Sequence, residues 1–310
     1  MFKFVVAGTV AAFAAAKKHP IRQELVDELK HKNVSWEVHT PETNPLRHMT
    51  REQLLNLVGT NIDFEYNVPA TEEATPVGAL PTNFDPRDGS KFPAACIHPI
   101  RDQQQCGSCW AFGATEALSD RFCIAGKDVI LAPQDPVSCD TNNYGCDGGY
   151  LNYVWSYMTN TGVVSDACWP YTSGGGDSGT CRKSCTGSGQ SWIKHKCKSS
   201  STVHPLTVSA IQTELYNNGP AEFAFTVYED FFNYKSGVYY HQSGGQAGGH
   251  AIKCFGWGTD SASGLNYWLC ANSWGPSWGD KGFFKIKQGD SGINGQVYAC
   301  TPQVATEELF

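Results

Sequence analysis

Two cysteines three apart, Cys106 and Cys109, open an apolar segment in the stretch Gln103-Gln104-Gln105-Cys106-Gly107-Ser108-Cys109-Trp110. A pair so spaced can be a redox couple, half of a zinc site, or a structural half-cystine beside a nucleophilic thiol. A redox pair normally begins a helix after a strand in a thioredoxin-like βαβ setting, and the residues around Cys106 lack that pattern. Zinc would want a second ligand pair at compact spacing, and none fits. A thiol nucleophile needs a base, a group to orient that base, and donors for an oxyanion. His250, in Gly-Gly-His-Ala-Ile, and Asn272, in Ala-Asn-Ser-Trp-Gly, could supply the first two. Taken singly, each of the nine histidines reads as structural. The ordered combination is what favours chemistry. Gly-Cys-Asp-Gly-Gly around Cys146 offers Cys106 a disulfide partner, which would leave Cys109 as the odd thiol.

The elements that must position these groups can be read coarsely. The chain has 310 residues, enough for one large or two moderate domains, with 13 cysteines and a net charge of -7. No basic block favours nucleic acid, and the cysteine count favours an oxidising compartment. Residues 1–16 combine Lys3, an apolar run and small residues, the pattern of a signal peptide too short to span a membrane. No later segment is long and apolar enough to do so. Asn33-Val34-Ser35 is a glycosylation sequon. Residues 17–79 lack cysteine. Two short amphipathic helices are predicted there, one with Pro20 in its first turn and Ile21, Leu25 and Leu29 on one face. The other has Thr50 and Gln53 as a capping box and Gly59 as its stop. Pro69 to Pro81 reads as an exposed linker. Cys109 is predicted at the start of a helix, and Gly149 to Gly162 as another. Beyond Gly219, strands are predicted in Ala221–Tyr228, Gly237–His241, His250–Gly258, Asn266–Trp274 and Gly282–Gly289. A helical half (about 80–215) followed by a β-rich half (about 216–310) makes an α+β chain of two lobes.

From Leu80 to Thr301 the sequence resembles the papain family of cysteine proteases, and within it the cathepsin B branch. The resemblance rests on LPTNFDPR, IRDQQQCGSCWAFGA, GCDGGY, NNGPAEFAFTVYEDFFNYKSGVY, GGHAIKCFGWG and ANSWGPSWGDKGFFKI. It implies a papain-like fold, a helical lobe and a β-barrel-like lobe flanking a cleft. It also implies Cys109 as nucleophile, His250 as its proton partner, Asn272 as the group orienting that ring, and Gln103 as an oxyanion donor. Trp274 would shield the His–Asn bond. Gly148 and Gly149 would pair with substrate backbone, and Tyr150, Leu151, Ala224, Ala251 and Gln296 would line the second subsite before the scissile bond. No cofactor or metal is implied. Disulfides Cys96–Cys123, Cys106–Cys146, Cys139–Cys181 and Cys168–Cys185 follow from the same likeness, and Cys197, Cys254, Cys270 and Cys300 stay unassigned.

Three departures from the cathepsin B pattern matter. Gln296 stands where that branch has an acid, so apolar side chains are expected at the second subsite. The segment Cys168–Cys185 is short and has no histidine, so the carboxylate-binding loop of a dipeptidyl carboxypeptidase is missing and an endopeptidase is expected. Gln104 and Gln105 replace smaller residues. Residues 17–79 would be an inhibitory pro-segment acting as an intramolecular partner, removed near Gly78 to Leu80, favoured at acid pH. Peptide and protein substrates, and cystatin-type inhibitors, are the expected partners of a monomer that binds neither nucleic acid nor membrane, in a lysosome-like compartment or outside the cell. Rival classes are a non-catalytic binder of the same fold, a thiol–disulfide oxidoreductase and a disulfide-held structural protein.

Overall fold

The computed structural model describes residues 18–62 and 79–304. The expected signal peptide and most of the linker lie outside those residues, as does Gly78 of the expected cleavage stretch Gly78 to Leu80. Helices α1 (Gln23–His31), α2 (Arg51–Leu55), α3 (Cys109–Ile124), α4 (Gln134–Cys139), α5 (Leu151–Asn160) and α6 (Val208–Asn218) precede most of the strands. The strands are β1 (Trp36–Val38), β2 (Ala221–Tyr228), β3 (Tyr234–Tyr239), β4 (Gln246–Thr259), β5 (Asn266–Ala271), β6 (Phe283–Lys287) and β7 (Gln296–Tyr298). They form one sheet in the order β1-β3-β6-β5-β4-β2-β7. No helix among the described residues is long and apolar enough to cross a membrane.

Two large hydrophobic cores and a small cluster of Phe255, Leu269 and Ala271 result, and neither large core respects the sequence halves. One packs the aromatic residues of the sheet with Ile211 and Leu215 of α6, Phe84 and Phe92, and the N-terminal Leu25, Leu29, Trp36 and Leu54. The other joins α3, α4 and α5 with Ala224, Ala251 and Tyr298 from the sheet. Helix α3 is buried nearly all round, so it reads as a core helix between the lobes rather than an amphipathic surface one.

The first helix begins three residues later than Pro20 suggests. Pro20 is used for docking instead: its carbonyl accepts from Asn233 Nδ2 at 3.1 Å. The capping box at Thr50 and Gln53 is present, but α2 ends at Leu55, so Gly59 is not its stop. Strands β1 and β7, three residues each, and helices α4 and α6 were not anticipated. Strand β3 starts at Tyr234, earlier than the glycine of its predicted segment, and β5 ends at Ala271, before Asn272. Gly162 follows α5 at φ +82, a left-handed position suited to a residue without Cβ. Asn33 is exposed in the turn between α1 and β1.

The four disulfides implied by resemblance are joined here, with two more, Cys197–Cys300 and Cys254–Cys270. Cys109 is the free cysteine, and it is buried.

Candidate active site

Cys109 begins α3, so its sulfur sits at the positive end of a buried helix dipole. His250 lies within β4 and is fully buried, and Asn272 directly follows β5. The antiparallel pairing of β4 with β5 brings the last two together: His250 Nε2 is 2.7 Å from Asn272 Oδ1. That oxygen also accepts the backbone N–H of Ser273 at 2.8 Å, which fixes the amide plane. Trp274 covers the pair, its ring centroid 4.8 Å from that of His250. A second tie joins β4 to α3. Lys253 of β4 and Asp120 of α3 form a fully buried ion pair at 2.6 Å, fastening the helix that carries Cys109 to the strand that carries His250.

Gln103 is held on three sides. Its Oε1 accepts from Ser273 Oγ at 2.7 Å, and its backbone carbonyl accepts from Tyr171 Oη at 2.9 Å. Its Nε2 donates to the carbonyls of Cys106 at 2.9 Å and Leu57 at 3.1 Å. Ser273 and Tyr171 position this amide, and sequence reading missed both. Ser273 carried a signal, since it adjoins Asn272 in the same motif; Tyr171 carried none.

The N-terminal segment occupies the cleft. Thr60 Oγ1 lies 3.0 Å from Cys109 Sγ, and the chain pairs with both walls: Thr60 N–H donates to Gly249 O, Asn61 N–H to Gly149 O, and Gly149 N–H to Gly59 O. Glycines make the approach possible. A Cβ on Gly59 would lie 2.2 Å from Gly107 O, and one on Gly148 would lie 2.4 Å from Gly59 O. The expected subsite residues are neighbours, since the register sets Gln296 beside Ala224 and Ala224 beside Ala251. Leu151 belongs to the same core, and Ile62 packs against it. Tyr150 precedes Leu151 at the start of α5, its N–H bonded to Asn143 Oδ1 at 2.7 Å.

The direction of this segment follows from those contacts. A substrate would place the residue for the second subsite on the N-terminal side of the carbonyl that reaches Gln103. Here Leu57, whose carbonyl meets Gln103, precedes Ile62, which packs against the core that holds Leu151, Ala224 and Ala251. With the roles expected of Gln103 and of those subsite residues, that order is the reverse of a substrate's.

Covering also changes the charges. Burial pushes the Cys109 thiol up, against the opposing hydrogen bonds of Thr60 and the backbone of Ala251 and Gly59. Burial pulls the His250 imidazole down to about 4, although Asn272 and the Leu57 carbonyl favour its charged form. In this covered state both groups are neutral at mildly acid pH. Uncovering would return water to both groups and relieve the part of that burial due to the segment.

The short segment after Cys168 is tied back to the helical lobe by Cys139–Cys181 and Cys168–Cys185. Ser173 is buried against Gln134, and the Ser178 carbonyl accepts from Ser138 Oγ at 2.5 Å. His195 and His204 sit elsewhere: burial pulls His195 down to about 4, and His204 stacks on Tyr298 at 4.4 Å.

A buried free thiol at a helix start, with a histidine–asparagine pair across a two-lobed cleft, defines the class. Residues 80–301 match the family described as papain family cysteine protease, and the chain belongs to that family. Its relatives narrow the likeness to the cathepsin B branch. A gut-specific cysteine proteinase of Caenorhabditis elegans is 44% identical over 76% of this chain and 78% of its own length. The cathepsin B-like CP3 of Giardia intestinalis is 38% identical over 88% of this chain and 91% of its own. The solved structure of proCathepsin B S9 from Trypanosoma congolense superposes with a TM-score of 0.83 at 29% identity, covering 93% of this chain and all of that one. Because that structure is a proenzyme, the covering segment of the present chain corresponds to a pro-segment bound within the same molecule.

Proposed function

We propose that this cathepsin B-like protease is an endopeptidase made as a latent precursor, with Cys109 as nucleophile, His250 as proton carrier and Asn272 as the residue orienting that ring. The Cys109 thiolate attacks the scissile carbonyl carbon, and Gln103 Nε2 with the Cys109 N–H stabilises the oxyanion. Losing one such donor typically costs about a hundred- to a thousandfold in rate. His250 then protonates the leaving amine, and water, deprotonated by the same ring, hydrolyses the thioester. Residues 17–79 act as the inhibitory segment, and Gly148 and Gly149 take over backbone pairing with substrate once it leaves. Apolar side chains are preferred at the subsite of Tyr150, Leu151, Ala224, Ala251 and Gln296, because a neutral amide offers no charge to a guanidinium. The six disulfides support passage through a secretory pathway, to a lysosome-like compartment or outside the cell.

The observation that supports the endopeptidase reading is the short, histidine-free segment between Cys168 and Cys185, bound back against Gln134 and Ser138. The test uses processed protein at about pH 5 to 6 and two versions of one peptide, C-terminally blocked and free. Cleavage of the blocked peptide, lost in Cys109→Ala and with a thiol-directed inhibitor, is the predicted result. Dipeptide release from the free form alone would make the protein a dipeptidyl carboxypeptidase instead. No cleavage of either would make it a binding protein of this fold.

A further inference from the structure

Gln104 and Gln105 lie between the oxyanion glutamine and the nucleophile, and the catalytic account leaves both unused. The side chain of Gln105 is poorly satisfied. Its Nε2 donates only a weak bond, to Met49 Sδ at 3.5 Å, and its Oε1 is buried without a hydrogen-bond partner. Thioether sulfur is a weak acceptor, and an unmet buried carbonyl oxygen is costly. Both ends of this carboxamide are thus better served by some group other than the segment now covering it.

The position of Gln105 along the cleft follows from the chain direction. The covering segment passes Met49 at Gln105, then Leu57 at Gln103, then Ile62 against the core that holds the expected second-subsite residues. Because it runs opposite to a substrate, Met49 lies on the leaving-group side. Met49 also packs against the sheet-lobe core, so it bridges the two walls of the cleft there. Gln105 is the helical-lobe wall at that point.

The rim carrying it is braced. Gln105 N–H donates to Gly174 O at 2.9 Å, and a Cβ on Gly174 would lie 2.3 Å from Gln104 Oε1. Gln104 itself is left-handed, at φ +53, with its N–H on Asp102 Oδ1 at 2.8 Å. A non-glycine residue held in that region marks backbone fixed by its surroundings. The short loop after Cys168, rather than reaching over the cleft, supports this glutamine rim.

We propose that Gln105 is a substrate-binding residue that clamps the backbone of one extended residue in the leaving-group chain. Its Nε2 donates to that residue's carbonyl and its Oε1 accepts from the same residue's N–H. A carboxamide has one donor end and one acceptor end, matching the N–H and C=O that an extended residue turns to the same side, whereas those of a single trans peptide point in opposite directions. The inference rests on the endopeptidase reading and extends it: substrates continue past the scissile bond and are gripped by their backbone rather than by their end.

The test replaces, one at a time, the first three peptide bonds beyond the scissile bond of a blocked peptide with esters. Each ester removes one N–H. Products are identified by mass so that only cleavage at the intended bond is counted. Processed wild-type enzyme and Gln105→Ala are compared by the ratio of ester to amide kcat/KM, which cancels any difference in folded fraction. Wild type is expected to lose about three- to tenfold at one position, the size of one neutral hydrogen bond. Gln105→Ala is expected to be insensitive at that position and to match wild type at the others. Equal ester sensitivity in the two enzymes at every position would overturn the clamp, as would a wild type indifferent to all three esters. Failure of every blocked peptide, amide and ester alike, would overturn the endopeptidase reading and the clamp with it.

Discussion

Two stretches of the covering segment grip the body by different means. From His19 to Met49 the grip is chiefly apolar side-chain burial, with strand pairing at β1 and polar ties at Pro20 and Arg22 beside it. Leu25, Val26 and Leu29 of α1 are buried, and Trp36 lies with its ring centroid 5.2 Å from that of Tyr239. Strand β1 adds to the sheet edge at β3, with Trp36 opposite Gly237. From Leu57 to Ile62 the grip is mostly backbone, through four hydrogen bonds to Gly149, Gly249 and Gln103 and close glycine contacts. Burial of large side chains is worth about 1.5–3 kcal/mol each, whereas a neutral hydrogen bond nets about 1 kcal/mol. We propose from this that affinity lives in the first stretch and inhibition in the second. The two can be separated by mutation.

The largest effect should come from the apolar stretch. Trp36→Ala removes a ring packed against Tyr234 and Tyr239, a change that costs about 3–5 kcal/mol in a core. The precursor should then react with a thiol probe at least about a hundredfold faster than wild type. Wild-type reactivity would show that the aromatic anchor is dispensable. Next comes the crossing itself. Gly59→Ala drives a Cβ into the Gly107 carbonyl, and overpacking of this kind costs about 1–3 kcal/mol. Labelling should rise about ten- to a hundredfold while the N-terminal segment stays bound on gel filtration. Release of the segment would mean that the two stretches are one unit.

Acid should act on the crossing through His250. The ring sits at about 4 when covered, against an ordinary 6.5. The proton balance depends on Cys109. If the thiol keeps its proton on opening, the uncovered ring takes up a proton that the covered ring does not as the pH falls from 6.5 towards 4, and opening is favoured by up to about tenfold per pH unit across that window. If the ring instead takes the thiol's own proton, opening binds no net proton and acid has no such effect; the prediction is the first case. Labelling rates of uncleaved precursor that stay flat from pH 6.5 to 4.5, after correction for probe ionisation, would contradict this. The smallest effect belongs to the rim of the anchor. Arg22 and Glu229 form an ion pair at 2.8 Å with side chains 21% and 14% exposed. Glu229→Gln should raise labelling only about two- to fivefold, since partly exposed pairs contribute about 1 kcal/mol or less.

What could be read from the sequence follows the same division between local and distant. Cys109, His250 and Asn272 stand in short motifs that could be singled out before any fold was known, and the fold places His250 Nε2 2.7 Å from Asn272 Oδ1. The capping box at Thr50 was legible for the same reason, because Thr50 and Gln53 bond to each other. Gly59 misled, because a glycine that ends a helix and a glycine that lets two backbones touch look alike in sequence. Strands β1 and β7 have three residues each and take their stability from β3 and β2, so alternation had no length in which to appear. Cys197–Cys300 joins residues separated by 103 positions, and only the return of the C-terminal chain across the helical lobe brings them together. Ser273 and Tyr171 act on Gln103 from a distant strand end and a distant loop, contacts that no single stretch of sequence contains.

The central claim is that Cys109 is the nucleophile and that the crossing at Gly59–Thr60 alone keeps it silent. The most direct measurement labels equal amounts of precursor and processed protein with a thiol-directed, substrate-like probe at pH 5.5. Peptide mapping then locates the label, and activity is followed in the same samples. The account predicts one label per processed molecule, on Cys109, with activity falling in step, and slow labelling of the precursor at the same residue. Label on any other cysteine, or loss of activity with Cys109 unmodified, would contradict it.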